Sequence, residues 1–155
     1  MSTTFRRALT HVQISLAAAV VLAVAMVTFS PAPSAQAASR PVGERVVKIA
    51  ASKAGTPYAY GASGPGAFDC SGYTSWVYAR AGKRIPRTSS AQAAAAHRVR
   101  AGDARRGDLV FFTSGGSVYH VGIYAGHNRI WHSPRPGSRV HLERIWTPAH
   151  FFGRL

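Results

Sequence analysis

At 155 residues the chain has room for one sizeable core, and 19 Lys+Arg against 5 Asp+Glu give it a formal net charge of +14. A single cysteine excludes a disulfide framework, and no His or Cys pair has ligand spacing on one element, so no zinc site is read from the sequence. The positive field attracts polyanions, but the aromatic interleaving and spacing of nucleic-acid modules are absent.

Arg6 and Arg7 precede a mostly apolar run from Ile14 to Phe29. Ser30-Pro31-Ala32-Pro33-Ser34-Ala35-Gln36-Ala37 then breaks the helix and ends in Ala-x-Ala. This is the order of a secretory signal peptide cut after Ala37. The run is shorter than the ~20 residues of a spanning helix, which argues against a stable membrane anchor after processing. Residues 1–37 are therefore read as signal peptide and 38–155 as one exported catalytic or binding domain. In that compartment the arginines between Arg80 and Arg106 meet anionic cell-wall polymers or phospholipid headgroups rather than nucleic acid, or serve solubility alone. No internal repeat and no Gly/Ser-rich or Pro-rich linker interrupts the domain.

Ser39 can cap a helix with Pro41 in its first turn. Val42, Val46, Ile49, Ala50 and Lys53 follow at helical spacing, and Gly55 ends the run. Thr56 to Ala67 is a loop rich in Gly, Pro and Tyr. A second helix is predicted from Cys70 to Ala81, with Gly82 behind it, and Arg87-Thr88-Ser89-Ser90 caps a third, Ala-rich helix to about His97. The pattern then changes to alternation. Strands are predicted at Asp108–Phe112, Val118–Tyr124, Arg129–His132 and Val140–Arg144, with an edge strand at Phe151–Leu155. Helices first and strands afterwards, joined by short links, make an α+β domain with an antiparallel sheet.

Cys70, in Phe68-Asp69-Cys70-Ser71-Gly72, opens the second helix. A helix dipole and a neighbouring imidazolium are the two devices that turn a thiol into a thiolate, and Asp69 is placed to cap the helix start. Of seven histidines, His120 lies in a strand whose alternation sends Val121 and Ile123 to the core and His120, Gly122 and Tyr124 to the other face. Gly122 would leave room for a substrate backbone. With Ala125-Gly126-His127 as a three-residue hairpin loop, His132 stands directly opposite His120 and can orient it, completing a nucleophile–base–orienter triad. A one-residue slip would put the two rings on different faces. His97, His127, His141 and His150 are read as surface or packing residues, and no metal or cofactor is invoked. Tyr58, Tyr60 and Trp131 are candidate groove walls, or core.

Six blocks stand in one order. They are Thr56-Pro57-Tyr58-Ala59-Tyr60-Gly61, the Cys70 segment, Ile85-Pro86-Arg87-Thr88-Ser89 with Gln92, Gly107-Asp108-Leu109-Val110-Phe111-Phe112, His120-Val121-Gly122-Ile123-Tyr124 and Ile130-Trp131-His132-Ser133-Pro134. In this order they resemble the NlpC-type cell-wall cysteine peptidases over nearly all of residues 38–155. The resemblance implies a papain-like α+β fold with Cys70 as nucleophile, His120 as base and His132 as orienting residue. It implies a peptidoglycan endopeptidase that cuts stem peptides between D-glutamate and the diamino acid through an acyl-enzyme. It further implies that Asp69 and Ser71 help hold the stem peptide's free N-terminal amine, a role compatible with the cap. Gly61-Ala62 stands where the family has a glycine pair, and Ala94-Ala95-Ala96-His97 replaces a glycine common after Gln92. No wall-binding repeat or coiled-coil segment accompanies the domain, which leaves targeting to the basic surface or to a partner. Two alternatives stay open. One is an amidase of the same superfamily, cutting between muramic acid and L-alanine, against which the amine role of Asp69 argues. The other is a catalytically silent wall-binding module, against which the intact Cys70, His120 and His132 argue.

Overall fold

The computed structural model describes residues 35–155; the basic and apolar parts of the signal region lie outside the described residues. Among the described residues no helix is long and apolar enough to cross a membrane. Helix α1 spans Ala35–Ala51, beginning one turn before the expected cap at Ser39. Ala35-Gln36-Ala37-Ala38 are strong helix formers and carry the helix backwards. Helix α2 spans Cys70–Arg80, with Asp69 as N-cap accepting from the Gly72 N–H. Helix α3 spans Ser89–Ala95, with Thr88 accepting from the Ala91 N–H.

Six strands follow: β1 (His97–Val99), β2 (Leu109–Ser114), β3 (Ser117–Gly126), β4 (Arg129–His132), β5 (His141–Arg144) and β6 (His150–Arg154). They form one antiparallel sheet in the order β1-β6-β2-β3-β4-β5. Two expectations are corrected. The third helix stops at Ala95, so His97 opens a strand instead of closing a helix. The C-terminal strand is no edge, because β1 pairs with its outer side and β2 with its inner side.

The helices cover one face of the sheet. Val46, Ala50, Tyr73 and Val77 are buried there against Leu109, Phe111, Val121 and Ile123. Fully burying a side chain of this size is worth roughly 1.5–3 kcal/mol. Two buried tyrosines keep their hydroxyls satisfied, Tyr73 on the Ala50 carbonyl at 2.9 Å and Tyr78 on the Gly107 carbonyl at 2.5 Å. On the other face Val110, Phe112, Ile130, Ile145 and Phe152 make a smaller cluster.

The loop before α2 is laced to the segment between β4 and β5. The Gly55 N–H donates to Val140 O, the Val140 N–H to Thr56 O and the Tyr58 N–H to Ser138 O. Where β4 ends, Ser133 turns and its hydroxyl donates to Phe68 O at 2.8 Å. These bonds seat the start of α2 beside the middle of β3.

Candidate active site

Cys70 is the first residue of α2, and its thiol meets the backbone N–H groups of Ser71 and Val121. The latter contact puts the sulfur one residue from His120. His120 Nε2 lies 2.9 Å from His132 Nδ1, with the rings edge-on and their centroids 5.1 Å apart. Two of the three triad candidates are thus in direct contact, and the third lies against the neighbouring peptide.

The route to that contact differs from the expected one. His127 and Asn128, at φ 51° and 57°, form a two-residue hairpin turn, and a bulge lies between Tyr124 and Gly126. Tyr124 therefore pairs with Ile130 and Ile123 with Trp131, which brings Gly122 opposite His132. The rings are diagonal, not directly opposed. The displacement is two residues, so both remain on one face. Gly122 makes the diagonal reach possible, since a Cβ there would sit 2.7 Å from Ile130 Cδ1 and 3.3 Å from His132 Cβ. The space beside His120 is filled by these side chains and is not left for a substrate backbone.

Glu143 extends the line. Its Oε2 stands 2.9 Å from His132 Nε2 and 3.3 Å from His141 Nε2. The nearer approach lies outside hydrogen-bonding alignment, so the buried His132 Nε2 has no hydrogen-bond partner. Neither His141 nor Glu143 was singled out from the sequence as part of the site. The signal was present as His-x-Glu on a strand, which puts both on one face, but its partner His132 comes from the next strand.

Burial sets the protonation states. It pushes the Cys70 thiol up, and the Asp69 carboxylate pushes it further, outweighing the N–H groups of Val121 and Ser71. Burial lowers His120 to about 3, with His132 adding to the effect and the Glu143 charge opposing it. His132 is likewise lowered by burial and then by His141. Both effects work against the expected thiolate at the helix start and favour a neutral thiol beside a neutral imidazole pair.

Asp69 is more heavily engaged than a cap. One carboxylate oxygen accepts from the Gly72 N–H at 2.6 Å, from Arg87 at 3.0 Å and more weakly from the Ser71 hydroxyl at 3.4 Å. The other accepts from the Gly61 N–H at 2.9 Å and from Arg87 at 2.6 Å. Burial opposes the charge, but Arg87 and the two N–H groups hold Asp69 below the usual carboxylate range. Arg87 also donates to the Ser71 hydroxyl at 3.0 Å, so both residues expected to hold a substrate amine already share a cation. A Cβ on Gly72 would lie 2.1 Å from Ala62 O, so only glycine lets the loop close over the helix start. Gln92, fully buried, ties Ser71 O and Pro86 O together and accepts from Thr74.

The aromatic candidates separate. Tyr58 stands by the thiol, its hydroxyl raised by burial and then by Cys70 and Asp69, and Tyr60 is 92% exposed. Trp131 is not brought to the site. As the neighbour of His132 on a strand it points to the opposite face, where it packs at the edge of the helix-side core. Trp146 stands there instead. It stacks on Phe112 at 4.1 Å, with its ring 5.8 Å from His120 and 5.5 Å from His132. With Tyr119, Arg135 and Ser138 it walls a cleft of about 450 Å³ that opens on both histidines.

Comparison with known proteins points one way. A probable endopeptidase of Corynebacterium glutamicum is 50% identical over 132 residues, which cover 83% of this chain and 61% of that protein. The bifunctional muramidase/DL-endopeptidase CwlT of Bacillus subtilis is 43% identical over 119 residues, covering 72% of this chain and 36% of that one. This chain thus spans less than two thirds of either relative. The solved NlpC/p60 domain of the peptidoglycan hydrolase SagA superposes with a TM-score of 0.65 at 36% identity, covering 72% of this chain and 96% of that domain. With the NlpC/P60 family model matching residues 55–150, the chain belongs to the NlpC/P60 family.

Proposed function

We propose that this protein is an exported cysteine peptidase that hydrolyses peptidoglycan stem peptides at the D-glutamyl–diamino acid bond. The observation that carries the reading is the lone thiol at the start of α2, against the peptide next to a His120–His132 pair, in a member of the NlpC/P60 family. The DL-endopeptidase named among its relatives supports the choice of bond.

The reaction starts from neutral groups. His120 Nε2–H donates to His132 Nδ1, which leaves His120 Nδ1 as the base. As the thiol adds to the scissile carbonyl, its proton passes to Nδ1, and the resulting imidazolium is favoured by the Glu143 carboxylate beyond His132. The backbone N–H at the start of α2 is a donor for the oxyanion. His120 then protonates the leaving amine, and water, deprotonated by the same nitrogen, releases the acyl group. No step requires a cofactor. Trp146 and Tyr58 are the side chains best placed to line the peptide's path.

One observation favours the amidase alternative. The free-amine role of Asp69 was the argument against it, and Arg87 already occupies that carboxylate. Export after cleavage at Ala37, with 38–155 as the working domain, is part of the proposal. So is retention on anionic wall polymers. Four of the five acids, Glu44, Asp69, Asp108 and Glu143, face cationic or histidine partners within the fold, which leaves most surface arginines to act outwards.

The deciding experiment digests purified muropeptides and identifies the products by mass spectrometry. L-alanyl-D-glutamate supports the endopeptidase, whereas an intact stem freed from muramic acid supports the amidase. Cys70→Ala should abolish either product while keeping the fold, and iodoacetamide should inactivate the wild type. Full activity of the alanine variant would overturn the cysteine mechanism.

A further inference from the structure

His132, His141 and Glu143 bring three donor atoms together on the sheet face opposite the helices. The β4–β5 register sets His141 directly across from His132, and Glu143 follows two residues on, on the same face. All three donor atoms lie within 4.8 Å of one another. Two separations are 2.9 Å, His132 Nε2 to Glu143 Oε2, and 3.3 Å, His141 Nε2 to the same oxygen. Ligand atoms on a tetrahedral zinc with bonds of about 2.0 Å are about 3.3 Å apart.

At His141 the hydrogen bond on the far side of the ring leaves a lone pair pointing into the cluster. His141 Nδ1 lies 2.7 Å from the Arg139 carbonyl, which can only accept, so the proton sits on Nδ1. In the neutral ring Nε2 then faces a carboxylate oxygen with lone pair against lone pair. A ring nitrogen held this way by a backbone carbonyl is the usual support of a histidine that binds metal. His132 Nε2 is fully buried and is the one buried side-chain nitrogen or oxygen without a hydrogen-bond partner among the described residues. A proton on His141 would relieve the contact with Glu143 but would leave His132 Nε2 unpartnered. A metal ion serves all three donors.

We propose that His132, His141 and Glu143 form a binding site for a divalent transition metal of the zinc class, and that the bound metal switches off the His120 base. Two imidazoles and one carboxylate favour zinc, cobalt or nickel over magnesium or calcium. The side chains of His141 and Glu143 are 46% and 45% exposed on the cleft wall, so an ion can reach the site and keep a fourth position for water. That openness fits a reversible regulator, not a structural ion.

The switching half rests on the catalytic reading above; the binding half does not. A metal on His132 Nε2 requires that ring's proton to be on Nδ1, from which it donates across 2.9 Å to His120 Nε2. His120 then carries its own proton on Nδ1, where the thiol's proton was to go. No proton is gained or lost by the pair. The base is masked.

Calorimetric titration of zinc into tag-free Cys70→Ala protein tests the site without the thiol as a competing ligand. One zinc per chain should bind, and His141→Ala or Glu143→Gln in the same background should weaken it by about tenfold or more. Nitrogen NMR of the imidazoles should show His132 passing from the Nε2–H to the Nδ1–H tautomer as zinc is added. In the wild type, zinc should inhibit muropeptide cleavage and a chelator should restore it. His141→Ala should need about tenfold more zinc than the wild type to lose half of its own metal-free activity. Zinc binding that is unchanged by His141→Ala would place the metal at other ligands, and binding that vanishes in Cys70→Ala would place it on the thiol; either result overturns the proposal. Binding with the expected ligands in a protein without peptidase activity would instead sink the catalytic reading and leave the metal site standing.

Discussion

Asp69 offers the sharpest test of what the residues flanking the thiol are for. Its side chain is 10% exposed and its partner Arg87 39% exposed. Asp69→Ala removes the cap on the Gly72 N–H, worth ~1 kcal/mol. It also removes the bond to the Gly61 N–H, about 0.5–1.5 kcal/mol, and the Arg87 pair, whose exposure limits it to about 1 kcal/mol. The expected loss is about 2–4 kcal/mol. Asp69→Asn keeps one acceptor but turns an amide donor towards either the Gly72 N–H or the Gly61 N–H and Arg87, and should still cost about 1–3 kcal/mol. Because Arg87 and the N–H groups hold the Asp69 carboxyl below its ordinary range, the stabilisation is full at neutral pH and is lost as pH falls through that depressed value. Urea unfolding of both variants gives the energies. Turnover of a free-amine stem peptide and its acetylated form gives the function. A structural Asp69 predicts that Asp69→Asn lowers stability and slows both peptides alike. Unchanged stability with selective loss of the free-amine preference would refute the reasoning and restore the amine-binding role.

His120→Ala should cost about 10²–10⁴-fold in turnover, because it removes the group that moves the proton, whereas His132→Asn should lose less and shift the pH profile; equal, near-total losses would mean the roles are misassigned. Gly122→Ala should destabilise by about 1–3 kcal/mol and slow turnover by displacing His132, with Ile130→Val, which removes the Cδ1 atom 2.7 Å from the new methyl, returning part of the stability. Since burial holds His120 and His132 neutral, the unfolded chain binds protons that the folded one does not. Stability should therefore fall as pH drops below about 6.5, by about 1.4 kcal/mol per pH unit for each neutral histidine, and a flat urea midpoint down to pH 4 would contradict this. Binding to purified sacculi should weaken as salt rises through ~0.15 M and after the anionic polymers are stripped, and salt-independent retention would point to recognition by shape instead.

The parts of the site that were legible in the sequence are those set by local rules. Asp69 as cap, the helix from Cys70 and the alternation around His120 each depend on a few neighbouring residues, and each appears as expected. The hairpin turn was harder to read. Gly126 reads as the glycine of a three-residue loop, whereas His127 and Asn128 adopt the left-handed conformation and the bulge takes up the difference. The face survived because the displacement was even. Trp131, a candidate groove wall by sequence, is kept from the site by the same alternation that places His132, a signal available from adjacency alone. Arg87 and Glu143 were not legible as partners. Arg87 reaches Asp69 across 18 positions of chain, and Glu143 reaches His132 from the next strand, contacts that only the tertiary fold creates.

The half-buried setting of the thiol also suits the proposed export of a chain with one cysteine. A pre-formed thiolate would be open to oxidation and to disulfide exchange outside the cell, since the thiolate is the reactive form. Here burial and the Asp69 charge disfavour the Cys70 thiolate, and burial disfavours the His120 imidazolium. Both departures raise the cost of the ion pair in the resting protein, while the 2.9 Å contact from His120 Nε2 to His132 Nδ1 holds the base in place. In the proposed mechanism charge separates only as the carbonyl is attacked, and it passes to an oxyanion facing the start of α2. Asp69 therefore has opposing effects on its neighbour. It fixes the helix start that aims the sulfur at β3, and its charge adds to burial in disfavouring the thiolate.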